Sequence, residues 1–410
     1  MPNFTLEDSV FVEAAQRFGT PLYLYDERGI RQAARRLRRA FSWNPGFREF
    51  YAVKALPNPA ILRIALEEGC GLDCSSEPEL MLAEMAGATG RDIMFSANGV
   101  AAHELKMARG MGAFINLDDQ SDIPLLAAAG IPETVSLRVN PGAEGEGQLG
   151  FMGGAFDAKY GFMPDQLPAG LEQLKQGGAR RFGLHAMTAS STLDGSYFAR
   201  NAAYLFALGK RLMAQSGLEL DFVNLSGGLG IPYRLDEQAL DMDQVGALVQ
   251  AEYLRAFGAG SAVRVFTELG RWLTGPYGWL LARAIHKKEI WRDYIGLDAS
   301  ASNLMRPMMY GAYHHASVIG KREAPHSRVY DLTGSLCENS DKFAVQRSLP
   351  EIEIGDLVLL HDAGAHGHAM GYQYNGRLRC AELLYTQGGG FRLIRRAETP
   401  EDYFSTLVDA

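Results

Sequence analysis

The stretch that decides the fold is Phe50-Tyr51-Ala52-Val53-Lys54-Ala55, an apolar run that reaches a lysine and leads into Pro57-Asn58-Pro59. The run has the length and composition of a buried β-strand, and the two prolines are typical of a helix start. A lysine held against apolar neighbours tends to lose its proton, and a neutral amine forms Schiff bases with carbonyl groups. The alternative is that Lys54 extends over the strand end into solvent. Taken alone, this segment favours the alternative.

Length and composition set the limits of the interpretation. A chain of 410 residues is too long for one ordinary core, so two domains are expected. The net charge of −8 argues against a nucleic-acid or anionic-membrane partner. The sequence has neither a long apolar span nor a signal-peptide pattern, so we expect a cytoplasmic protein. The four cysteines are too scattered for a disulfide framework or a zinc site, and we predict no metal.

Most of the chain has the pattern of repeated βα units. Between about residues 28 and 275, short apolar runs alternate with segments of helical period. The predicted strands are Glu49–Val53, Gly71–Cys74, Asp92–Phe95, Ala113–Leu117, Thr134–Val139, Phe182–Met187, Phe222–Leu225 and Val263–Thr267. Eight such strands with helices between them favour a (β/α)8 barrel of the TIM type over residues 28–275. An open doubly wound sheet is the alternative.

The remaining residues, 1–27 and 276–410, predict a β-rich second domain, either a β-sandwich or a β-barrel. Strand patterns occur there at Arg328–Leu332, Asp356–His361 and Arg379–Tyr385. The early segment Pro21–Tyr25 can join that domain rather than the barrel. Within the barrel region, the glycine-rich segment Pro141–Gly161 predicts a long loop at the barrel mouth.

Residues with chemical potential follow the predicted barrel strands. Lys54 follows the first strand, Asp73 ends the second and His185 lies in the sixth, while Gly227-Gly228 follows the seventh and Glu268-Leu269-Gly270 the eighth. In a (β/α)8 barrel the carboxyl ends of the strands form the active site, and the last loops commonly hold phosphate. The glycines could therefore bind a phosphate through backbone N–H groups, although a glycine cluster alone is more often a turn.

Glu268 could hydrogen-bond a protonated ring nitrogen and stabilise its positive charge. The alternative for Glu268 is an internal salt bridge with Arg271. His185, in turn, could be an ordinary core histidine. A Schiff-base lysine, a phosphate site and a carboxylate for a ring nitrogen together indicate pyridoxal 5′-phosphate as the cofactor.

Several motifs carry a resemblance to a known family. They are Tyr51-Ala-Val-Lys54-Ala, Gly183-Leu-His185, Gly227-Gly228, Glu268-Leu-Gly270-Arg271, Cys337-Glu338-Asn-Ser-Asp341 and Tyr374-Asn375. These motifs span nearly the whole chain and resemble the fold-type III pyridoxal phosphate decarboxylases, which have alanine racemase-like barrels. Within that group, the segment Arg306–His314 is similar to diaminopimelate decarboxylases rather than to ornithine or arginine decarboxylases. The resemblance implies a homodimer whose active sites are shared between subunits.

The resemblance also implies roles for individual residues. Lys54 and Cys337 would be catalytic, and both are candidates to reprotonate the α carbon. The candidate cofactor-binding residues, from strand-end position or family motif, are Lys54, Asp73, His185, Ser190, Gly227, Gly228, Glu268, Gly270 and Tyr374. The candidate substrate-binding residues are Arg271, Arg306, Tyr310, Glu338 and Tyr374. Arginine and tyrosine suit the distal carboxylate of diaminopimelate, and Glu338 suits its ammonium group.

The function that the resemblance implies is decarboxylation of meso-2,6-diaminopimelate to L-lysine and carbon dioxide. The sequence departs from the commoner family pattern at Met187, where many members carry a second histidine, at Leu269 in place of a proline, and at His366 in place of a tyrosine. These departures mark either a divergent subgroup or a changed substrate, such as carboxynorspermidine or a D-configured basic amino acid. A non-catalytic pyridoxal phosphate carrier and a barrel unrelated to this cofactor are the remaining alternatives.

Overall fold

The computed structural model describes residues 6–142 and 157–408, so most of the predicted mouth loop Pro141–Gly161 lies outside the described residues. In chain order the strands are β1 (Leu22–Asp26), β2 (Arg48–Ala52), β3 (Gly71–Cys74), β4 (Ile93–Ser96), β5 (Phe114–Leu117), β6 (Thr134–Arg138), β7 (Arg181–His185), β8 (Glu219–Asn224), β9 (Arg264–Thr267), β10 (Gly278–Glu289), β11 (Asp293–Leu297), β12 (Ala316–Val318), β13 (Arg328–Thr333), β14 (Lys342–Leu349), β15 (Leu357–Leu360), β16 (Ala381–Tyr385) and β17 (Phe391–Arg395). The helices are α1 (Asp8–Phe18), α2 (Glu27–Ala40), α3 (Pro59–Glu67), α4 (Glu77–Ala86), α5 (Ala102–Gly110), α6 (Asp122–Ala129), α7 (Leu167–Gln176), α8 (Gly195–Ser216), α9 (Met242–Phe257), α10 (Gly270–Thr274), α11 (Arg306–Tyr310) and α12 (Pro400–Phe404).

The chain divides into two units. The barrel unit comprises Arg31–Ile231 and Ala239–Trp272, and the β-rich unit comprises Met1–Ile30, Pro232–Gln238 and Leu273–Ala410. The short segment Pro232–Gln238, which lies within the barrel region of the sequence, therefore belongs to the β-rich unit. In the part of the chain that the structure describes, no helix is long and apolar enough to cross a membrane.

The barrel unit contains a closed parallel barrel formed by β2 to β9 in chain order. The predicted (β/α)8 barrel is thus confirmed, and the open sheet is not what forms. Side chains from five strands fill the barrel, namely Phe50, Met94, Phe114, Phe222 and Phe266. The rings of Phe222 and Phe266 lie 4.6 Å apart. Because alternate residues of each strand point inward, one apolar residue per strand suffices for such a layer.

Local sequence determines where the barrel elements begin and end. α3 begins at Pro59, and the Asn58 side chain accepts a hydrogen bond from the N–H of Ala60 at 3.0 Å, which caps the helix as the Pro57-Asn58-Pro59 run predicts. The predicted strand Gly71–Cys74 matches β3. The predicted strand Phe182–Met187 extends too far, because β7 ends at His185.

The β-rich unit contains a mixed nine-stranded sheet within the described residues. Its longest path has the order β14-β13-β11-β10-β1-β16-β17, and β15 pairs with β10 and β12. β1 pairs with β10 in antiparallel fashion and with β16 in parallel fashion, so the early strand predicted at Pro21–Tyr25 does join this sheet. Helix α1 contributes Phe11 to the core of the unit, where its ring lies 5.5 Å from that of Trp279.

Candidate active site

Lys54 lies in a short 3-10 turn, Val53–Ala55, directly after β2. Val53 and Ala55 are buried, whereas Lys54 is exposed. Of the two interpretations of Lys54, the structure agrees with the one in which the side chain extends over the strand end into solvent, and not with a lysine held against apolar neighbours. The strand ends at Ala52, and in the turn that follows only the two apolar residues flanking the lysine are buried. Lys54 is thus placed at the carboxyl end of the first barrel strand, as predicted, but with its side chain accessible.

Glu268 follows β9 and is the centre of a buried polar cluster. Its carboxylate lies 3.2 Å from Nε2 of His185 and accepts hydrogen bonds from Nδ2 of Asn224 at 2.7 Å and from Oγ of Ser226 at 2.8 Å. Burial opposes ionisation of this carboxyl, but the nearby His185 and Lys54 and the hydrogen bond from Ser226 lower the pKa of Glu268 to about 2. Glu268 therefore carries a negative charge at neutral pH.

The alternative of a salt bridge between Glu268 and Arg271 is not observed. Arg271 is not among the groups that contact the Glu268 carboxylate in the described part of the chain. Arg271 lies in α10 and is half-buried. The negative charge of Glu268 is thus held by neutral donors and one imidazole rather than by a guanidinium.

Asp73 is a second buried carboxyl in the same cluster, at the end of β3. Burial raises the pKa of Asp73 well above its ordinary value, and the nearby charge of Glu268 raises it further, while Lys54 opposes the shift. Two carboxyl groups close together in an apolar environment do not both ionise readily. The pKa values of the two carboxyls are therefore shifted in opposite directions, upward for Asp73 and downward for Glu268.

His185 belongs to this polar cluster and is not an isolated core histidine. The residue is buried, and its Nε2 faces Glu268. Its Nδ1 is buried and has no hydrogen-bond partner among residues 6–142 and 157–408. Buried polar atoms normally have partners, so an atom of this kind at the mouth of a barrel fits the approach of a further group. Met187, two residues beyond, is half-buried.

The loops after β7 and β8 are joined by backbone hydrogen bonds. The N–H of Thr192 donates to the carbonyl of Gly228 at 2.9 Å, and the N–H of Gly230 donates to the carbonyl of Thr192 at 2.7 Å. Ser190 lies in the first of these loops, two residues before Thr192. The predicted phosphate-binding residues Ser190 and Gly228 therefore lie in adjacent, paired loops.

The glycines of the site allow close backbone approach. Gly228 has a φ of +104°, and a Cβ on it would lie 2.8 Å from the carbonyl oxygen of Ala189. A Cβ on Gly227 would lie 2.6 Å from the carbonyl oxygen of Glu268. At Gly270, a Cβ would meet that of Ala55 at 2.8 Å. A side chain at any of the three positions would collide with a neighbouring segment, so glycine is required for the loops to pack this closely.

In the β-rich unit, Cys337, Glu338 and Tyr374 lie together. The hydroxyl of Tyr374 lies 3.3 Å from Sγ of Cys337 and donates to Oε1 of Glu338 at 3.1 Å. The hydrogen bond with Cys337, and to a smaller extent the one with Glu338, raises the pKa of Tyr374 to about 12. The backbone N–H of Cys337 donates to the side chain of Asn375 at 2.9 Å, which links the two predicted motifs. All three side chains are exposed.

The loop that carries Cys337 is anchored by Asp341, a member of the same motif. The buried Asp341 carboxylate accepts hydrogen bonds from the backbone N–H of Leu336 at 2.8 Å and of Ala301 at 2.7 Å. The aspartate therefore has a structural task, because it fixes the backbone immediately before the cysteine.

Arg306 begins α11 and is buried. Its Nη1 donates to Nε2 of His314 at 2.7 Å, and its guanidinium lies 4.7 Å from the ring centroid of Tyr233. The other ring nitrogen of His314 donates to the carbonyl of His361 at 2.8 Å. Tyr310 ends the same helix and is half-buried. The arginine is thus held in one orientation by a histidine and an aromatic ring.

The predicted site residues fall into the two units. The barrel unit contains Lys54, Asp73, His185, Ser190, Gly227, Gly228, Glu268, Gly270 and Arg271, and the β-rich unit contains Arg306, Tyr310, Cys337, Glu338 and Tyr374. Sequence reasoning missed Asn224 and Ser226, which bond to Glu268. A signal was present for Ser226, because it directly precedes the glycine pair, where it adopts a φ of +58° that non-glycine residues seldom adopt.

The sequence model of the family described as "Pyridoxal-dependent decarboxylase, pyridoxal binding domain" matches residues 27–275. The chain belongs to this family. Its cofactor is accordingly pyridoxal 5′-phosphate, and the enzyme is a pyridoxal phosphate-dependent decarboxylase, as the sequence motifs predict.

Individual relatives of this decarboxylase cover nearly its whole length. Protein TabA of Pseudomonas amygdali pv. tabaci is 44% identical over 391 residues, which are 95% of this chain and 92% of the relative. Diaminopimelate decarboxylase of Methanothermobacter thermautotrophicus is 38% identical over 399 residues, with the same coverage of 95% and 92%. Among solved structures, diaminopimelate decarboxylase from M. jannaschii in complex with L-lysine has a TM-score of 0.91 and 29% identity, over 97% of this chain and 94% of that one.

Proposed function

We propose that this decarboxylase converts meso-2,6-diaminopimelate to L-lysine and carbon dioxide. The Methanothermobacter relative and the M. jannaschii structure both carry the name of that enzyme. The observation that carries the substrate assignment is the buried guanidinium of Arg306, held by His314 and Tyr233. A fixed guanidinium is suited to a carboxylate, and diaminopimelate has a carboxylate at its distal end.

The barrel residues fit the cofactor. In the proposed site Lys54 supplies the amine, backbone N–H groups of the loop that contains Gly227 and Gly228 hold the phosphate, and Glu268 stabilises the protonated ring nitrogen. Pyridoxal phosphate, when bound, withdraws electrons from the α carbon of an amino acid and so permits loss of its carboxylate. The low pKa of Glu268, which results from its donors despite its burial, supports this role because only the ionised carboxylate stabilises a positive nitrogen. The exposed side chain of Lys54 is accessible to a carbonyl group.

The residues of the β-rich unit fit the remaining tasks. Glu338 would hold the distal ammonium of the substrate. Cys337 and Lys54 are the two candidates to return a proton to the α carbon. We propose that Cys337 and Glu338 serve the active site of a second subunit in a homodimer, as the resemblance to the family implies. Sedimentation of the purified protein tests this proposal, since a monomer that retains full activity would contradict it.

A second candidate is decarboxylation of a related amino-acid substrate. The observation that favours it is the identity of 44% to protein TabA, which exceeds the 38% to the Methanothermobacter diaminopimelate decarboxylase. The departures from the commoner family pattern at Met187, Leu269 and His366 are compatible with either substrate.

Release of carbon dioxide from a panel of substrates separates the two candidates. The purified, cofactor-loaded enzyme is assayed with meso-diaminopimelate, L-lysine, L-ornithine and carboxynorspermidine, and the amine product is identified by chromatography. The proposal predicts the highest kcat/KM for meso-diaminopimelate, with L-lysine formed in equal amount to carbon dioxide. A higher kcat/KM for ornithine or lysine would contradict it, because neither substrate has a distal carboxylate for Arg306.

A further inference from the structure

Glu49 is a buried carboxyl that the proposed chemistry does not use. It lies in β2, five residues before Lys54, and is 4% exposed. Its Oε2 bonds to the hydroxyl of Thr267 at 2.5 Å, and its Oε1 accepts the backbone N–H of Leu269 at 2.6 Å. Thr267 and Leu269 are the residues immediately before and after Glu268. One side chain thus holds both neighbours of the central carboxylate.

The place of Glu49 in the barrel explains why this contact is needed. β2 and β9 are the first and last strands, and in the described residues their register comprises the pairs Arg48 with Phe266 and Glu49 with Thr267. Beyond Thr267 the pairing with β2 ends, and the N–H of Glu268 donates to the carbonyl of Ser226 at 2.8 Å. There the Glu49 carboxyl accepts a hydrogen bond from the backbone N–H of Leu269. It therefore connects the strand that leads to Lys54 with the segment that carries Glu268.

We propose that Glu49 is a positioning residue for Glu268. By fixing the backbone on both sides, it keeps the Glu268 carboxylate directed at Asn224 and Ser226. A carboxylate bound to a ring nitrogen must be held in one orientation, because a displacement of a fraction of an ångström weakens such a bond. This inference rests on the role proposed above for Glu268.

Glutamine can replace Glu49 without loss of either contact. Burial, with a further contribution from the charge of Glu268, raises the pKa of Glu49 to about 8 despite its two hydrogen bonds. In the structure Oε1 of Glu49 accepts the N–H of Leu269 and Oε2 accepts the hydroxyl of Thr267. A glutamine keeps both contacts, because its amide oxygen accepts the N–H of Leu269 and its amide N–H donates to the Thr267 hydroxyl, which can rotate to accept. Alanine has neither group.

The experiment measures cofactor binding by the stripped protein. Pyridoxal 5′-phosphate is titrated into the wild type and the variants Glu49→Ala, Glu49→Gln and Glu268→Ala, and the absorbance of the bound cofactor gives its Kd. We expect Glu49→Ala to raise the Kd about tenfold, the size of effect from one or two lost buried hydrogen bonds. Glu49→Gln should bind within about twofold of the wild type, since it keeps both contacts.

Asp221→Asn is the matched control. Asp221 is a carboxylate on β8 that bonds to Arg264 at 2.7 Å and to Thr134 at 3.3 Å. Arg264 is the first residue of β9 and Thr134 is the first residue of β6, so these contacts lie at the ends of the strands opposite the site. Its loss should leave the Kd for the cofactor unchanged. A Kd raised equally in Glu49→Ala, Glu49→Gln and Asp221→Asn would indicate general weakening of the barrel and would overturn the inference.

The remaining outcomes are also decisive. If Glu49→Ala binds pyridoxal 5′-phosphate with the Kd of the wild type, Glu49 has no positioning role. If that variant does not fold, Thr267→Val removes one of the two contacts and should raise the Kd about threefold; an unchanged Kd there overturns the role equally. Wild-type Kd and spectrum in Glu268→Ala would instead refute the role proposed for Glu268 itself, so the two failures are distinguishable.

Discussion

The Sγ atom of Cys337 lies 3.3 Å from the hydroxyl oxygen of Tyr374. The same hydroxyl donates to Glu338 at 3.1 Å, and these contacts with Cys337 and Glu338 raise the pKa of Tyr374 to about 12. The phenol therefore keeps its proton at neutral pH and links a candidate proton donor to a candidate binding group for the substrate ammonium.

Cys337→Ala is expected to slow turnover by roughly ten- to hundredfold while the cofactor remains bound, because a positioned proton donor contributes on that scale. Tyr374→Phe should also lower kcat, since the thiol loses the hydroxyl beside it. Steady-state kinetics and the absorbance of the bound cofactor are measured together. Ser340→Ala, in the same exposed loop, is the control and should behave as the wild type. Unchanged turnover in Cys337→Ala removes the cysteine from the role of donor and leaves Lys54.

His314→Ala is expected to raise the KM for meso-diaminopimelate about tenfold with a smaller change in kcat. The histidine accepts a hydrogen bond from Arg306 at 2.7 Å and is itself fixed by the carbonyl of His361. Without this histidine the guanidinium is no longer held in one orientation, and the free energy of substrate binding weakens by roughly 1.5 kcal/mol. His326→Ala serves as control, because this histidine is exposed. Equal KM values for the two variants would show that the orientation of Arg306 does not determine substrate affinity.

Glu49→Gln is expected to remove a pH dependence of stability. Burial and the Glu268 charge raise the pKa of Glu49 from 4.5 to about 8. Between these values the folded protein holds a proton that the unfolded chain has lost, so the free energy of unfolding falls as pH rises through this window. Below the window both states are protonated and the stability is at its full value, which is lost as pH rises toward 8. The buried thiol of Cys70, whose pKa burial also raises, stays neutral throughout.

Urea unfolding near pH 5 and near pH 8 measures this effect. Relative to the wild type, Glu49→Gln should be more stable at the higher pH than at the lower one. If the free energy of unfolding changed by the same amount between the two pH values in the wild type and in Glu49→Gln, Glu49 would not retain its proton in the folded state.

The barrel could be predicted because each strand carries its own local signal. Gly71–Cys74 is a short apolar run between two helical segments, and β3 has these bounds. Pro21–Tyr25 was recognisable as a strand outside the βα rhythm, and it pairs with β10 and β16. The exposure of Lys54 is the alternative that this segment alone favours, but its cause could not be predicted, because an apolar run does not reveal that the strand gives way to a 3-10 turn at Val53.

The network around Glu268 could be predicted only in part. The types of residue at the strand ends indicated a lysine, a phosphate site and a carboxylate. The donors Asn224 and Ser226 come from β8 and the loop after it, and Glu49 contacts the segment from β2. These contacts depend on closure of the barrel and on the register of its strands, neither of which a local pattern specifies.

The most direct test of the account is the combined absorbance and turnover of Lys54→Ala. The purified wild type should absorb in the visible range through its lysine-bound cofactor and should release carbon dioxide from meso-diaminopimelate. Lys54→Ala should lose both properties, because the amine that binds the cofactor carbonyl is gone. A Lys54→Ala enzyme with the wild-type spectrum and full turnover would contradict the account.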